Sequence, residues 1–194
     1  MWMGASSTDM SRRRFSDSRV SIVPTSSHSR AFMDLIIQRS TIELFESYGV
    51  AVAPADSSDV PQKPADFVGS VQLSGAAIRG VLNLAASRDT LTRTLPRTGQ
   101  TLVLQDWVRE LTNQLAGRIR NRFARYQLSI QVSLPTSNHP ASQPPRNAKQ
   151  TELVYVFRTL KDDVIVKLSG DFDEGSLVFS SNPAVAEEGD VILF

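Results

Sequence analysis

Between Thr101 and Thr136 the chain reads TLVLQDWVRELTNQLAGRIRNRFARYQLSIQVSLPT, and its apolar period changes there from that of a helix to that of a strand. At about 100° per residue, Leu104, Val108, Leu111, Leu115, Ile119 and Tyr126 fall within about 40° of one direction, the stripe that a helix buries. Leu128, Ile130, Val132 and Leu134 then alternate with polar residues up to Pro135, as in a strand with one face covered. A long helix followed at once by such a strand requires a helix layered on a sheet. Opposite the stripe lie Asp106, Glu110, Asn113, Gly117 and Asn121. A merely solvated face would favour long helix formers, and a mid-helix Gly costs about 1 kcal/mol relative to Ala. The sequence therefore marks Gly117 as a place where something comes close.

The remaining chain supplies the partners of this helix. From Ala31, Phe32, Leu35, Ile36, Ile42, Leu44 and Phe45 recur at helical spacings, with Gly49 as a stop. Ala51 to Ala65 contains three prolines and reads as a surface connection. Phe67, Gly69, Val71 and Leu73 alternate, as do Ile78, Gly80, Leu82 and Leu84, and a turn at Ser74-Gly75 would make them an antiparallel hairpin. Ser87 has N-cap chemistry for a short helix carrying Leu91 and Leu95 and ending near Pro96, and Arg97 to Thr101 leads into the long helix. The Pro-rich segment 136–149 reads as a flexible excursion. Glu152 to Arg158 and Val164 to Ser169 form a second hairpin across Leu160 to Asp163. Ser176 to Phe179 and Val191 to Phe194 are candidate short edge strands. This order gives an α+β fold, an antiparallel sheet covered on one face by helices. Residues 1–30 are a flexible Ser/Arg-rich tail, 31–180 the folded domain and 181–194 an acidic C-terminal segment.

Composition excludes several functions. The absence of Cys removes disulfides and thiolate metal sites, and both His residues, His28 and His139, lie in Ser/Pro-rich surroundings, so no metal site is expected. Ser11-Arg12-Arg13-Arg14-Phe15 resembles a twin-arginine signal but lacks the apolar segment that must follow, and no apolar run approaches the 18 or so residues of a membrane span. A cytoplasmic protein without membrane attachment is the expectation. No P-loop, no G-x-G-x-x-G after a strand and no G-x-S-x-G elbow occurs. A net charge of +1 argues neither for nor against nucleic acid, but Arg109, Arg118, Arg120, Arg122 and Arg125 scatter round the wheel without interleaved exposed aromatics, so nucleic acid is not an expected partner.

What remains is Asp106-x-x-x-Glu110-x-x-Asn113, then Gly117, then Pro135 after the strand. Glu and Asn at i and i+3 share one side of a helix, so an acceptor-only carboxylate and a donor-acceptor amide can address one small target. Taken alone, that spacing is also that of any two surface neighbours. In its context, Glu110-Leu-Thr-Asn113-Gln-Leu-Ala-Gly117, preceded by Asp106 and followed by Ser133-Leu134-Pro135, resembles the signature of the CheC/CheX/FliY chemotaxis phosphatases. The resemblance runs from the helix near Ala31 to the hairpin near Ser169 and is nearest to CheX, because a second Glu-x-x-Asn helix is missing.

The resemblance implies a CheX-like fold and hydrolysis of the phosphoaspartate of a CheY-like receiver domain. Glu110 would pair with a receiver lysine and Asn113 would orient the attacking water. Asp106 would support docking or the helix start, and Gly117 would give clearance for the receiver backbone. It implies no cofactor of the chain's own, the Mg2+ being supplied by the receiver, and a homodimer formed through the sheets. The alternative is a non-catalytic module of the same fold that binds a receiver or another signalling protein.

Overall fold

The computed structural model describes residues 26–55, 65–96, 103–138 and 151–173. In chain order these give α1 (Ser26–Glu46), β1 (Ala53–Pro54), β2 (Phe67–Gly75), β3 (Ile78–Ala86), α2 (Arg88–Thr94), α3 (Leu104–Ala124), β4 (Ile130–Val132), β5 (Thr136–Asn138), β6 (Thr151–Arg158) and β7 (Asp163–Phe172). The strands form one antiparallel sheet in the order β1-β6-β7-β3-β2-β4, with β5 also pairing β2. The fold is α+β, as the alternation and the helical periods together require.

Period-2 patterning becomes rows across the sheet. Val71, Leu82, Leu168 and Leu153 stand side by side on β2, β3, β7 and β6, and Phe67, Ala86, Val164 and Phe157 form a parallel row four residues away. Every member except Phe67 is buried, and these rows face the helices. The opposite face carries Ser70, Asn83 and Lys167, with the Ser70 hydroxyl donating to Asn83 Oδ1 at 2.6 Å.

Between the two apolar rows, Gly69 lies beside Leu84, Val166 and Tyr155. A Cβ at Gly69 would run into Thr112 Oγ1 and lie 2.6 Å from the Val108 carbonyl oxygen, so the backbone of α3 rests directly on β2 at this point. The helix is held there from several directions, which is why Trp107, Thr112, Ala116 and Phe123 are buried in addition to the central stripe, while Leu104 and Tyr126 at its ends are half-buried. Alongside, α1 contributes Met33, Ile36, Ile37, Leu44 and Phe45 to the same core, Phe32 meets Tyr126 edge-on at 4.4 Å, and Glu43 accepts from both Arg122 and, at 3.3 Å, Arg39. Ser87 caps α2, accepting from the Thr90 amide at 3.1 Å, and its hydroxyl donates to buried Asp162 at 2.9 Å, which ties the helix to the β6–β7 turn.

Several boundaries differ from the sequence expectation. Helix α1 begins at Ser26, inside the stretch read as tail, and Leu35 is 57% exposed because the buried stripe is centred on Met33, Ile37, Thr41 and Leu44 instead. Ser74 and Gly75 remain in β2, and the chain turns at Ala76-Ala77. The strand expected over Leu128 to Leu134 is a strand only at Ile130–Val132, with one further backbone bond from the Ser133 amide to the Gln72 carbonyl at 3.0 Å. Ser133 then uses its own hydroxyl to accept from the Gln72 amide at 2.9 Å, and Pro135 has no N–H to offer, so the ladder is interrupted and Leu134 turns outward, 88% exposed. Pairing resumes as β5, inside the segment read as a loop. The N-terminal residues to 25, His139 and the rest of that loop, the Arg97 to Thr101 connection and both candidate edge strands at 176–179 and 191–194 lie outside the described residues.

Two outcomes follow for stability. Gly69→Ala is expected to cost about 2–3 kcal/mol through overpacking against α3, read as a lower urea midpoint. At Glu43, burial pushes the carboxyl pKa up, but Arg122 and Arg39 outweigh it and hold the group below the ordinary glutamate value. The resulting stabilisation is complete above the unfolded pKa and disappears as pH falls through the lower folded value. Glu43→Gln should therefore lower stability at neutral pH and flatten the acid limb of a stability-against-pH curve.

Candidate functional site

Helix α3 starts at Val103, which is extended and offers no side-chain cap. Asp106 sits in the exposed first turn, where its charge suits the helix dipole, and it pairs with Arg109 Nη1 at 3.1 Å. One turn further on, Glu110 is exposed, and its Oε1 accepts from Gln114 Nε2 at 2.8 Å. Its second oxygen has no partner among the described residues. Asn113 is exposed as well, and its amide makes no hydrogen bond among the described residues. A Glu–Asn pair at i and i+3 places the two Cβ atoms about 5–6 Å apart. The carboxylate and the amide thus share one patch of surface.

Gly117 follows one turn after Asn113 and is half-exposed, and a Cβ built there would meet nothing within 4 Å. The contrast with Gly69 is informative. Packing within the chain demands a glycine at Gly69, whereas nothing within the described chain demands one at Gly117. All four residues singled out from the sequence, Asp106, Glu110, Asn113 and Gly117, lie on the side of α3 turned away from the core. Asp106 is engaged by Arg109 and not by Glu110, so the unpartnered polar atoms belong to Glu110 and Asn113.

The patch is a convex helix face. One cleft of about 270 Å3 lies between α1 and β6, and another of about 640 Å3 beside the β2–β3 turn; neither is lined by these residues. A protruding carboxylate and amide suit insertion into a partner's site better than enclosure of a small molecule. Among the described residues no group of three or more His, Asp or Glu is placed to hold a metal, and no helix is long and apolar enough to cross a membrane. Gln114, which touches the site, was missed from the sequence, although its place four residues after Glu110 on a helix was the available signal.

No family model matches the sequence, and neither does any curated protein. Solved structures do. CheX from Desulfovibrio desulfuricans superposes with a TM-score of 0.59 at 14% identity, covering 72% of this chain and 99% of that one. The chain has the CheX fold. CheX from Vibrio vulnificus gives a TM-score of 0.58 at 15% identity over 73% of this chain and 98% of that one. FliY from Thermotoga maritima gives 0.53 at 12% over 80% and 96%. The CheC/CheX/FliY resemblance read from the central helix is thus matched at the level of architecture. At such identities the shared property is the CheX fold itself.

Because the space over Gly117 is open, Gly117→Ala is expected to stabilise the protein by about 0.5–1 kcal/mol, the helix-propensity difference, read as a higher urea midpoint.

Proposed function

We propose that this chain hydrolyses the phosphoaspartate of a CheY-like receiver domain, with Glu110 and Asn113 as the acting side chains. The observation that carries the reading is a carboxylate and an amide, each with polar atoms unpartnered among the described residues, one turn apart on a convex, solvent-facing helix of the CheX fold. In-line phosphoryl transfer asks chiefly for positioning and charge stabilisation, so two side chains suffice when the receiver brings the phosphoryl group and its own Mg2+. Glu110 pairs through its open oxygen with a receiver lysine on docking. The Asn113 amide accepts from and donates to a water held behind the phosphorus. The water oxygen bonds to phosphorus as the acyl phosphate P–O bond breaks, which releases inorganic phosphate and returns the receiver carboxylate. Gly117 leaves room for the receiver backbone, and Asp106, paired with Arg109, supports the docking surface.

A panel of receivers from the same genome, phosphorylated with a small-molecule donor, tests the reading by phosphate release. The wild-type chain should shorten the lifetime of its cognate phosphorylated receiver, and Asn113→Ala should lower the rate by about tenfold to a hundredfold while leaving the fold intact. Glu110→Ala should weaken docking. Release equal to that of the receiver alone, with a complex still formed, would reassign the face to binding without catalysis.

Gly117→Leu should leave the fold intact, since the helix accepts the side chain, and should weaken receiver binding about tenfold or more by occupying the clearance. Titration by fluorescence anisotropy checks it.

A further inference from the structure

The Glu110 carboxylate is held by a neighbour whose own orientation is set from outside the helix. Gln114 Nε2 donates to Glu110 Oε1 at 2.8 Å, and Tyr48 Oη donates to Gln114 Oε1 at 2.8 Å. An amide has one acceptor end and one donor end, so a hydroxyl hydrogen on its oxygen turns its NH2 towards the carboxylate. Tyr48 lies in the turn that closes α1, 66 positions from Gln114. Its ring meets Trp107 edge-on at 5.4 Å, and the Trp107 indole N–H donates to Thr94 Oγ1 at 2.9 Å at the end of α2. Trp107 is 7% exposed and Thr94 fully buried, so this end of the chain of contacts is anchored in the core.

We infer that Tyr48 and Gln114 are positioning residues for Glu110: together they fix one carboxylate oxygen and leave the other presented to a cation on the docking partner. The inference rests on the phosphatase reading for its consequence, but the relay itself is a property of the free chain. A glutamate on a solvent-facing helix otherwise samples several rotamers, and ordering such a side chain opposes binding. Here the ordering is completed before the partner arrives. Tyr48, Gln114 and Glu110 thereby join the α1 turn to the exposed face of α3, so the site depends on how the first helix is seated as well as on its own helix.

Tyr48→Phe removes the donating hydroxyl and keeps the ring on Trp107, and Gln114→Met keeps length without an amide. Each should raise KM for the phosphorylated cognate receiver about threefold to tenfold at unchanged kcat. In the Glu110→Ala background the Tyr48→Phe effect should vanish, since a positioning residue acts only through the group it positions. An unchanged KM in both variants, or the same factor in the Glu110→Ala background, overturns the inference. The side-chain amide resonances of Gln114 in the free protein supply a second readout. They should shift in both Tyr48→Phe and Glu110→Ala, and a failure to shift in either overturns the relay. If the wild-type chain leaves the lifetime of every phosphorylated receiver unchanged while those resonances move in both variants, the relay stands and the phosphatase reading falls.

Discussion

Everything at the candidate site depends on one close approach, that of the α3 backbone to β2 at Gly69. Without a side chain there, the helix can lie against the sheet with Val108 and Thr112 in contact, and its far side is then set at a defined height above the core. A larger residue at Gly69 would lift or tilt the helix, and every exposed residue one face away would move with it. The structure uses its two informative glycines in opposite senses. Gly69 seats the helix, and Gly117 leaves space above it.

The seat is reinforced from the side. Arg122 and Glu43 join the C-terminal half of α3 to α1, Tyr48 and Gln114 join its middle, and Trp107 with Thr94 joins its start to α2. Only Arg122–Glu43 among them is an ion pair, and one so near the surface contributes about 0–1 kcal/mol, so the role of the three contacts is better described as fixing the rotation of α3 about its axis. Rotation decides whether Glu110 and Asn113 point outward together. A rigid element carrying Glu110 and Asn113 would lose less entropy on docking than a loop.

Much of this was legible in the sequence because the patterns were periodic and long. The α3 stripe, the hairpins at Phe67 to Leu84 and Glu152 to Ser169, the Ser87 cap and the outward face with Glu110 and Asn113 all came from spacing. What escaped depends on tertiary partners. The extra buried width of α3 at Trp107, Ala116 and Phe123 exists because the helix is covered from several directions. The helix exit runs through Gln127 at φ 61°, where no glycine signals it. The break at Ser133 arises because a side-chain oxygen took the place of a carbonyl opposite Gln72, and no local propensity encodes that exchange. The contact of Tyr48 with Gln114 joins residues distant in sequence, and the i, i+4 spacing of Glu110 and Gln114 alone does not distinguish them from ordinary helix surface.

The same break at Ser133 to Pro135 has a bearing on how the molecule behaves among copies of itself. An unbroken edge strand presents a row of free amides and carbonyls on which another chain can add. Here the outer neighbours of β2 are two three-residue strands separated by Pro135, and the opposite edge, β1, is two residues long and ends in Pro54. Among the described residues the margin beside β2 offers no continuous template, whereas on the far side β1 covers only Phe157 and Arg158 and the rest of β6 has no outer strand partner. On the β2 side, beneath α3, the sheet is thus blunted against uncontrolled growth by strand addition, and the strand edge left for a neighbour is that of β6.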